Sequence, residues 1–94
     1  MEIVLTNEAK KELEDLSQKT NENKFIRVFI AAFGWGGPTF NVALEELKEG
    51  DVQVEQDGFT FIFEKELFNL LKKVEIDYVK VMFFSRFVVN AYQK

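Results

Sequence analysis

The sequence predicts an α+β fold, with two helices packed on a mixed or mostly antiparallel sheet, formed by one domain over residues 1–94. Segments that alternate apolar and polar residues outnumber the two segments with helical spacing. The connections between them are too short for β–α–β crossovers, so most neighbouring strands should run antiparallel. Eleven Phe residues supply apolar area for a compact core in a small domain.

Alternation of apolar and polar residues, or enrichment in β-branched and aromatic residues, predicts the strands. The segment at 25–32, FIRVFIAA, is apolar on both faces, which is typical of a central strand. The predicted strands lie at 1–5, 25–32, 39–44, 52–54, 59–63, 76–82 and 87–92.

Helical spacing appears in two places. In the first helix Ala9, Leu13 and Leu16 recur on one side, after Thr6 or Asn7 as the N-cap. The second is predicted at 64–73, where acidic residues open the helix and lysines close it, as the helix dipole favours. Its apolar stripe consists of Leu67, Leu70, Leu71 and Val74. The polar stretch at 17–23 is interpreted as a loop.

Three turn signals divide the strands. Asp57-Gly58 lies between alternating segments and predicts a hairpin, because glycine tolerates the positive φ that such turns require. The segment FGWGGP at 33–38 predicts another hairpin. Around Phe83 and Phe84 the alternation breaks, and we expect a bend that buries these rings and Phe87 in turn; an exposed aromatic patch is the alternative.

Composition excludes several classes of function. The sequence contains no Cys and no His, so it offers no disulfide, thiolate nucleophile, zinc knuckle, catalytic imidazole or usual iron–sulfur ligand. A formal charge of −4 argues against nucleic acid as a partner. No apolar run approaches a membrane span and no signal peptide opens the sequence. We therefore expect no membrane partner and a cytoplasmic location.

The charge is unevenly distributed along the chain. Residues 41–58 carry six acids and one base, whereas residues 72–94 carry five bases and two acids. Two solvated faces are the favoured interpretation. A surface for a head-to-tail contact between copies, or for a charged partner, stays open as the alternative.

The segment that most resembles a binding site is the glycine-rich loop. Its candidate binding residues are Gly34, Trp35, Gly36, Gly37 and Pro38. Gly34 and Gly36 are expected to supply backbone angles that other residues avoid, and Pro38 to fix the exit of the turn. Three roles compete for Trp35: filling the core, lying at a homo-oligomer interface, or contacting a partner or small ligand.

Carboxylates are the remaining candidates for metal binding or acid–base chemistry. They fall beside turns without the spacing of a calcium loop, so solvated acids are the favoured interpretation. Asp77 and Tyr78 are expected to be structural. We predict no catalytic residue, no metal ligand and no cofactor. The acids weighed here are Glu45, Glu46, Asp51, Glu55 and Asp57.

Four segments together resemble one protein family over nearly the whole chain. IRVFIAAFGWGGPTFN at 26–41 is similar to the central segment of the HesB/IscA-like proteins, the A-type carriers of iron–sulfur cluster assembly. GDVQVEQDGFTFIFEKELFNLL resembles their acidic turn, hairpin and second helix. VEIDYV resembles the following strand, and EIVLTNEAKKELEDL the first strand and helix. The loop looks most like that of the HesB-like subgroup, which reads Gly-Phe-Gly-Cys-Gly-Gly-Pro.

The resemblance implies a HesB-like sandwich core, but it departs at the ligand positions. Trp35 stands in the place of the subgroup's loop cysteine, and the carriers' Cys-Gly-Cys has no counterpart in this sequence. The implied function is that of an iron–sulfur cluster biosynthesis family protein that is not itself a carrier or an enzyme. It would act through protein contacts, with a second copy or an iron–sulfur assembly protein. The alternative is a small-ligand or metal-binding module, or weak enzyme, using carboxylates and a pocket near the loop.

Overall fold

The computed structural model describes residues 1–19 and 24–94. Within these ranges it contains seven strands and two helices in the predicted order. Residues 20–23 of the predicted loop at 17–23 lie outside the described residues, and its first two residues belong to the first helix. The elements are β1 Glu2–Leu5, α1 Asn7–Gln18, β2 Phe25–Gly34, β3 Gly37–Glu45, β4 Val52–Gln56, β5 Phe59–Phe63, α2 Lys65–Leu70, β6 Leu71–Val81 and β7 Phe84–Gln93.

All seven strands join one sheet in the order β1-β6-β7-β3-β2-β5-β4. The β1–β6 and β2–β5 pairs are parallel. The other four pairs are antiparallel, and three of them are consecutive hairpins. The α+β class with a mixed sheet is therefore confirmed. The central position expected for the second strand is confirmed too, because β2 lies between β3 and β5.

The core lies on one face of the sheet, where the first helix covers it. Ala9 and Leu13 of α1 are fully buried, and Phe61 and Phe63 of β5 are inaccessible to solvent. The predicted cap is present, since Thr6 Oγ1 accepts a hydrogen bond from the Ala9 amide at 3.1 Å. The fully or nearly fully buried members of the core cluster are Ile3, Leu5, Ala9, Leu13, Ile26, Val28, Phe61, Phe63, Leu71, Val74, Ile76 and Val89.

The second helix is shorter than the sequence pattern predicts. It ends at Leu70, and strand β6 begins at once with Leu71. Leu71 pairs with Gln93 of β7, and Val74 pairs both with Ala91 of β7 and with Ile3 of β1. A strand with partners on both sides gains ladder hydrogen bonds that a surface helix lacks, so pairing overrides the helical spacing.

The β6–β7 connection is a tight hairpin, so the predicted burying bend is wrong. Val81 pairs with Phe84, and Met82 and Phe83 form the turn. Phe83 is 98% exposed and Phe84 is 79% exposed. Only Phe87 packs inward, with its ring 4.8 Å from that of Tyr78. Two consecutive Phe residues at the end of a ribbon extend beyond the core, so nothing in the described chain covers them.

The two long hairpins point in opposite directions. Phe40 of β3 pairs antiparallel with Val89 of β7. The β2–β3 turn therefore lies at one end of the sheet, and the β6–β7 turn lies at the other. A substitution at one turn can thus serve as a distant control for the other.

Candidate functional site

The glycine-rich loop is the tip of the β2–β3 hairpin. Gly34 and Gly37 form the last pair of the ladder, and Trp35 and Gly36 make the turn. The last five residues of β2 are all exposed, so the hairpin extends beyond the core as a two-stranded ribbon. A bulge between Ile30 and Ala32 marks where the buried part of the strand ends.

Trp35 is fully exposed to solvent, so the interpretation that it fills the core is wrong. Phe33, two residues earlier, is 79% exposed. Both rings stand on a segment without a charged residue from Val28 to Leu44. An exposed aromatic pair on an uncharged ribbon can offer apolar contact area but no general acid, base or nucleophile. The interface and ligand roles of Trp35 stay predictions.

The glycines of the loop have different backbone requirements from those expected. Only Gly37 has a positive φ, of 99°, in the loop. Gly34 and Gly36 do not adopt left-handed angles, and a Cβ at either position would meet no atom within 4 Å. The expectation that Gly34 and Gly36 supply the special angles is therefore wrong. Pro38 pairs with Phe33 in the ladder and is the second residue of β3, where its fixed φ is tolerated.

A shallow depression of about 440 Å³, lined by Phe33, Gly34 and Trp35, lies beside the loop. It opens broadly to solvent and holds no charged side chain. Small-molecule sites are usually concave, with a few convergent polar groups. This depression is too shallow to enclose a ligand and has no polar side chain in its lining, so it provides little support for a ligand pocket at Trp35.

Two of the acids thought to be solvated instead bind a buried arginine. Arg27, the third residue of β2, is 4% exposed. Its Nε donates to Glu45 Oε1 at 2.7 Å, and its two terminal nitrogens donate to the Asp51 carboxylate at 3.0 and 2.5 Å. Hydrogen bonding to Arg27, and secondarily to the Lys48 amide, lowers the pKa of Asp51. These acids hold strands together and are not free to bind a metal.

The remaining acids do not assemble into a site either. Asp57 lies 3.6 Å from Lys10 Nζ in a half-exposed ion pair, and Glu46 and Glu55 are exposed. Among residues 1–19 and 24–94, no three acidic side chains come together to hold a metal ion. With no thiolate or imidazole in the sequence, the donor set does not fit an iron–sulfur cluster or a metal, such as zinc or copper, that prefers nitrogen and sulfur ligands.

Asp77 has the structural role that the sequence predicts. Its Oδ1 accepts from Thr6 Oγ1 at 2.8 Å and from the Tyr78 amide at 2.7 Å. The Tyr78 hydroxyl donates to Ser85 Oγ at 2.9 Å across the hairpin. Thr6 therefore both caps α1 and ties it to β6. Neither Asp77 nor Tyr78 borders the glycine-rich loop.

Sequence reasoning missed Arg27 as a structural centre. The signal was present, because a single cation inside an otherwise apolar central strand needs carboxylate partners. Two such acids, Glu45 and Asp51, follow within the next hairpin and turn. Their distances to Arg27 depend on the β2–β3 register and could not be derived from spacing alone.

No protein-family model matches the chain. It is 32% identical over 89 residues to the iron–sulfur cluster insertion protein ErpA 1 of Methylococcus capsulatus, covering 94% of this chain and 70% of that protein. It is 30% identical to ErpA of Alkalilimnicola ehrlichii, over 94% of this chain and 74% of that protein. Relatives at this identity, matched over most of both lengths, are similar enough to establish the family to which the chain belongs.

Solved structures agree on the fold. Escherichia coli SufA, described as involved in biosynthesis of iron–sulfur clusters, superposes with a TM-score of 0.76 at 19% identity, covering 95% of this chain and 79% of that one. IscA with a [2Fe-2S] cluster superposes at 0.69 and 24% identity, over 95% and 81%. Sequence relatives and fold together show that this chain belongs to the HesB/IscA-like family of A-type iron–sulfur cluster assembly proteins.

Proposed function

We propose that this protein is a non-catalytic accessory of iron–sulfur cluster assembly, which contacts an assembly protein through the Trp35 loop and carries no cluster itself. The observation that carries the proposal is the full exposure of Trp35, at the loop position that resembles the ligand site of the HesB-like subgroup. A carrier's loop needs a thiolate there. An exposed indole instead supplies a large contact surface, and Trp is enriched among the residues that dominate binding energy.

Three further features support a contact role. The loop ribbon is uncharged, so a partner that covers it would remove no charged side chain of the ribbon from water. Phe33 adds a second exposed ring beside Trp35. The relatives named as cluster insertion proteins make an A-type carrier the first partner to test. The proposed compartment is the cytoplasm, and no helix in the described ranges could cross a membrane.

The carboxylate-based alternative has less support. Arg27 occupies Glu45 and Asp51, and the depression beside Trp35 is open and apolar. A ligand there would find few hydrogen-bonding side chains to orient it.

The sole tryptophan permits a direct test. Biosynthetic labelling with 5-fluorotryptophan gives one ¹⁹F resonance, which reports on Trp35 alone. A purified, unlabelled A-type carrier from the same cell is then added, in apo and cluster-loaded forms. We expect the resonance to shift or broaden, and Trp35→Ala to weaken binding at least about tenfold in calorimetric titration.

The matched control is Phe83→Ala, which removes an equally exposed ring at the opposite end of the sheet. It should leave carrier binding unchanged. An unperturbed ¹⁹F resonance in the presence of each A-type carrier and cluster scaffold protein of that cell would contradict the proposal. Equal loss of binding in both variants would also contradict it, because it would show that the loop is not the contact site.

A further inference from the structure

The β6–β7 turn presents four consecutive apolar side chains to solvent. Val81, Met82, Phe83 and Phe84 are between 61% and 98% exposed. We call this segment, Val81–Phe84, the apolar knob. It belongs to a different hairpin from the Trp35 loop and lies at the other end of the sheet. A contiguous exposed apolar surface of this kind marks an interaction site.

The backbone of the apolar knob strengthens this argument. Met82 has a φ of 54°, in the left-handed region that Asn and Gly occupy at low cost. Two-residue hairpin turns prefer those residues for that reason. Here the turn consists of Met82 and Phe83. The backbone of Met82 is strained, and both side chains are exposed, so no contact within the molecule offsets the strain. Such a combination points to side chains used by something outside this molecule.

The charge beside the apolar knob indicates the chemistry of its partner. Lys80 and Arg86 flank it, and no acidic residue occurs from Tyr78 to Lys94. Lys80 borders a cleft that contains the acids of α1. Arg86 pairs across the ladder with Val79 and forms no ion pair with any residue in the described ranges. A matching surface therefore needs an apolar groove with a carboxylate at its edge.

The same chain carries such a groove between β2 and α2. It has a volume of about 170 Å³ and is lined by Val28, Phe29, Ile30, Glu64 and Leu67. This size suits a single inserted side chain. Glu64 is exposed, and its carboxylate makes no hydrogen bond or ion pair within residues 1–19 and 24–94. Ile30 is 36% exposed, so the apolar wall of the groove is open to a partner.

We propose that the apolar knob of one molecule docks into the β2–α2 groove of a second copy, with Phe83 in the groove and Arg86 against Glu64. The knob and the groove are different surfaces, so the contact is head-to-tail. A pair therefore keeps a free groove on one molecule and a free knob on the other, and association continues into open chains or closes into a ring. The contact is small, so it is weak and concentration-dependent.

Sedimentation velocity over a range from about 10 µM to about 1 mM tests this proposal. The weight-average mass of the wild type should rise with concentration. Phe83→Ser removes the knob and Glu64→Arg reverses the charge of the groove, and each should weaken association at least about tenfold. Both residues are exposed, and circular dichroism checks that both variants fold. Trp35→Ala should associate like the wild type, which separates this proposal from the proposed function.

Mixing the two variants gives the sharpest outcome. The Phe83→Ser protein keeps a working groove, and the Glu64→Arg protein keeps a working knob. Their mixture should form a one-to-one dimer and stop there, because the remaining knob and groove are both defective. The double variant Glu64→Arg/Arg86→Glu should regain association through the exchanged charges.

A wild type that stays monomeric at the highest concentration would overturn the proposal. So would association that survives both single substitutions, or the absence of a dimer in the mixture. Flotation with vesicles of phosphatidylcholine and phosphatidylglycerol tests a lipid surface as the other occupant. Phe83-dependent flotation by a monomeric wild type would assign the apolar knob to membranes and overturn the second-copy proposal.

Discussion

At the scale of single residues, the Arg27 cluster shows why a charge persists in the middle of the sheet. Arg27 is buried, and its three donor nitrogens contact Glu45 and Asp51. A buried ion pair adds little to the stability of the folded state compared with an apolar replacement of both residues. Removing one partner alone is costly, because it leaves an uncompensated buried charge. The cluster therefore stabilises one register of β2 against β3 and the turn before β4.

Asp51→Asn should lower the free energy of unfolding by about 3 kcal/mol, because Arg27 would keep its charge without its bidentate partner. Urea denaturation at neutral pH measures this. Glu45→Gln is the matched control, since Glu45 is more exposed and makes one hydrogen bond with Arg27. It should cost no more than about 1 kcal/mol. Equal losses in both variants would contradict the assignment of Asp51 as the main partner.

The same pair predicts a pH dependence. Arg27 lowers the pKa of Asp51 in the folded protein below its unfolded value of about 3.9. The stabilisation is therefore complete above that value and is lost as the pH falls through the lower, folded pKa. Denaturation curves between neutral pH and about pH 2 should show a steeper acid loss for the wild type than for Asp51→Asn. Parallel curves would argue against this linkage.

In the glycine-rich loop, Gly37→Ala should destabilise the protein by about 1 kcal/mol or more, because its φ of 99° strains any residue with a Cβ. Gly36→Ala, one residue earlier, should be nearly neutral, since its Cβ would meet no atom within 4 Å. Thermal unfolding of the two variants makes the comparison. Destabilisation by Gly36→Ala alone would contradict the turn geometry.

At the scale of elements, α1 depends on the side chain that starts it. Thr6→Val should cost about 1–2 kcal/mol, because it removes the acceptor for the Ala9 amide and the donor to Asp77. Thr6→Ser keeps the hydroxyl and should recover most of the loss. Chemical denaturation of both variants is the measurement. A Ser variant as unstable as the Val variant would show that the Thr methyl group, and not the cap, stabilises this junction.

The elements also show which features the sequence could predict. Helix α1 and strand β5 follow from local spacing, because each presents one apolar face to the core. The end of α2 could not be predicted that way. Leu71 and Val74 fit the helical stripe, yet they pair with β7 and, for Val74, β1. Contacts between residues far apart in the sequence decide such boundaries.

The candidate site was predicted in part. The position and glycine content of the loop were visible in the sequence, and the structure places all five predicted residues at one hairpin tip. The sequence leaves buried and exposed roles open for Trp35, because whether a hairpin folds onto the core or extends beyond it depends on where the sheet ends. For the same reason the broken alternation favours a burying bend at Phe83 and Phe84, and the exposed patch that the structure contains is only its alternative.

At the scale of the whole molecule, one sheet separates two exposed aromatic ends. The Trp35 loop lies at one end, and the apolar knob lies at the other. The family fold is retained without the soft donor atoms that an iron–sulfur cluster needs. The two proposals above assign these ends to different contacts, the Trp35 loop to an assembly protein and the apolar knob to a second copy.

Anaerobic reconstitution with ferrous iron and sulfide tests the central claim most directly. After desalting, iron analysis and visible absorption are measured beside a cysteine-containing ErpA relative treated in the same way. The account predicts no retained iron above the buffer blank and no visible cluster absorption for this protein, while the relative acquires both. Retention of iron and sulfide in a fixed ratio to the protein, with a visible cluster spectrum, would contradict it.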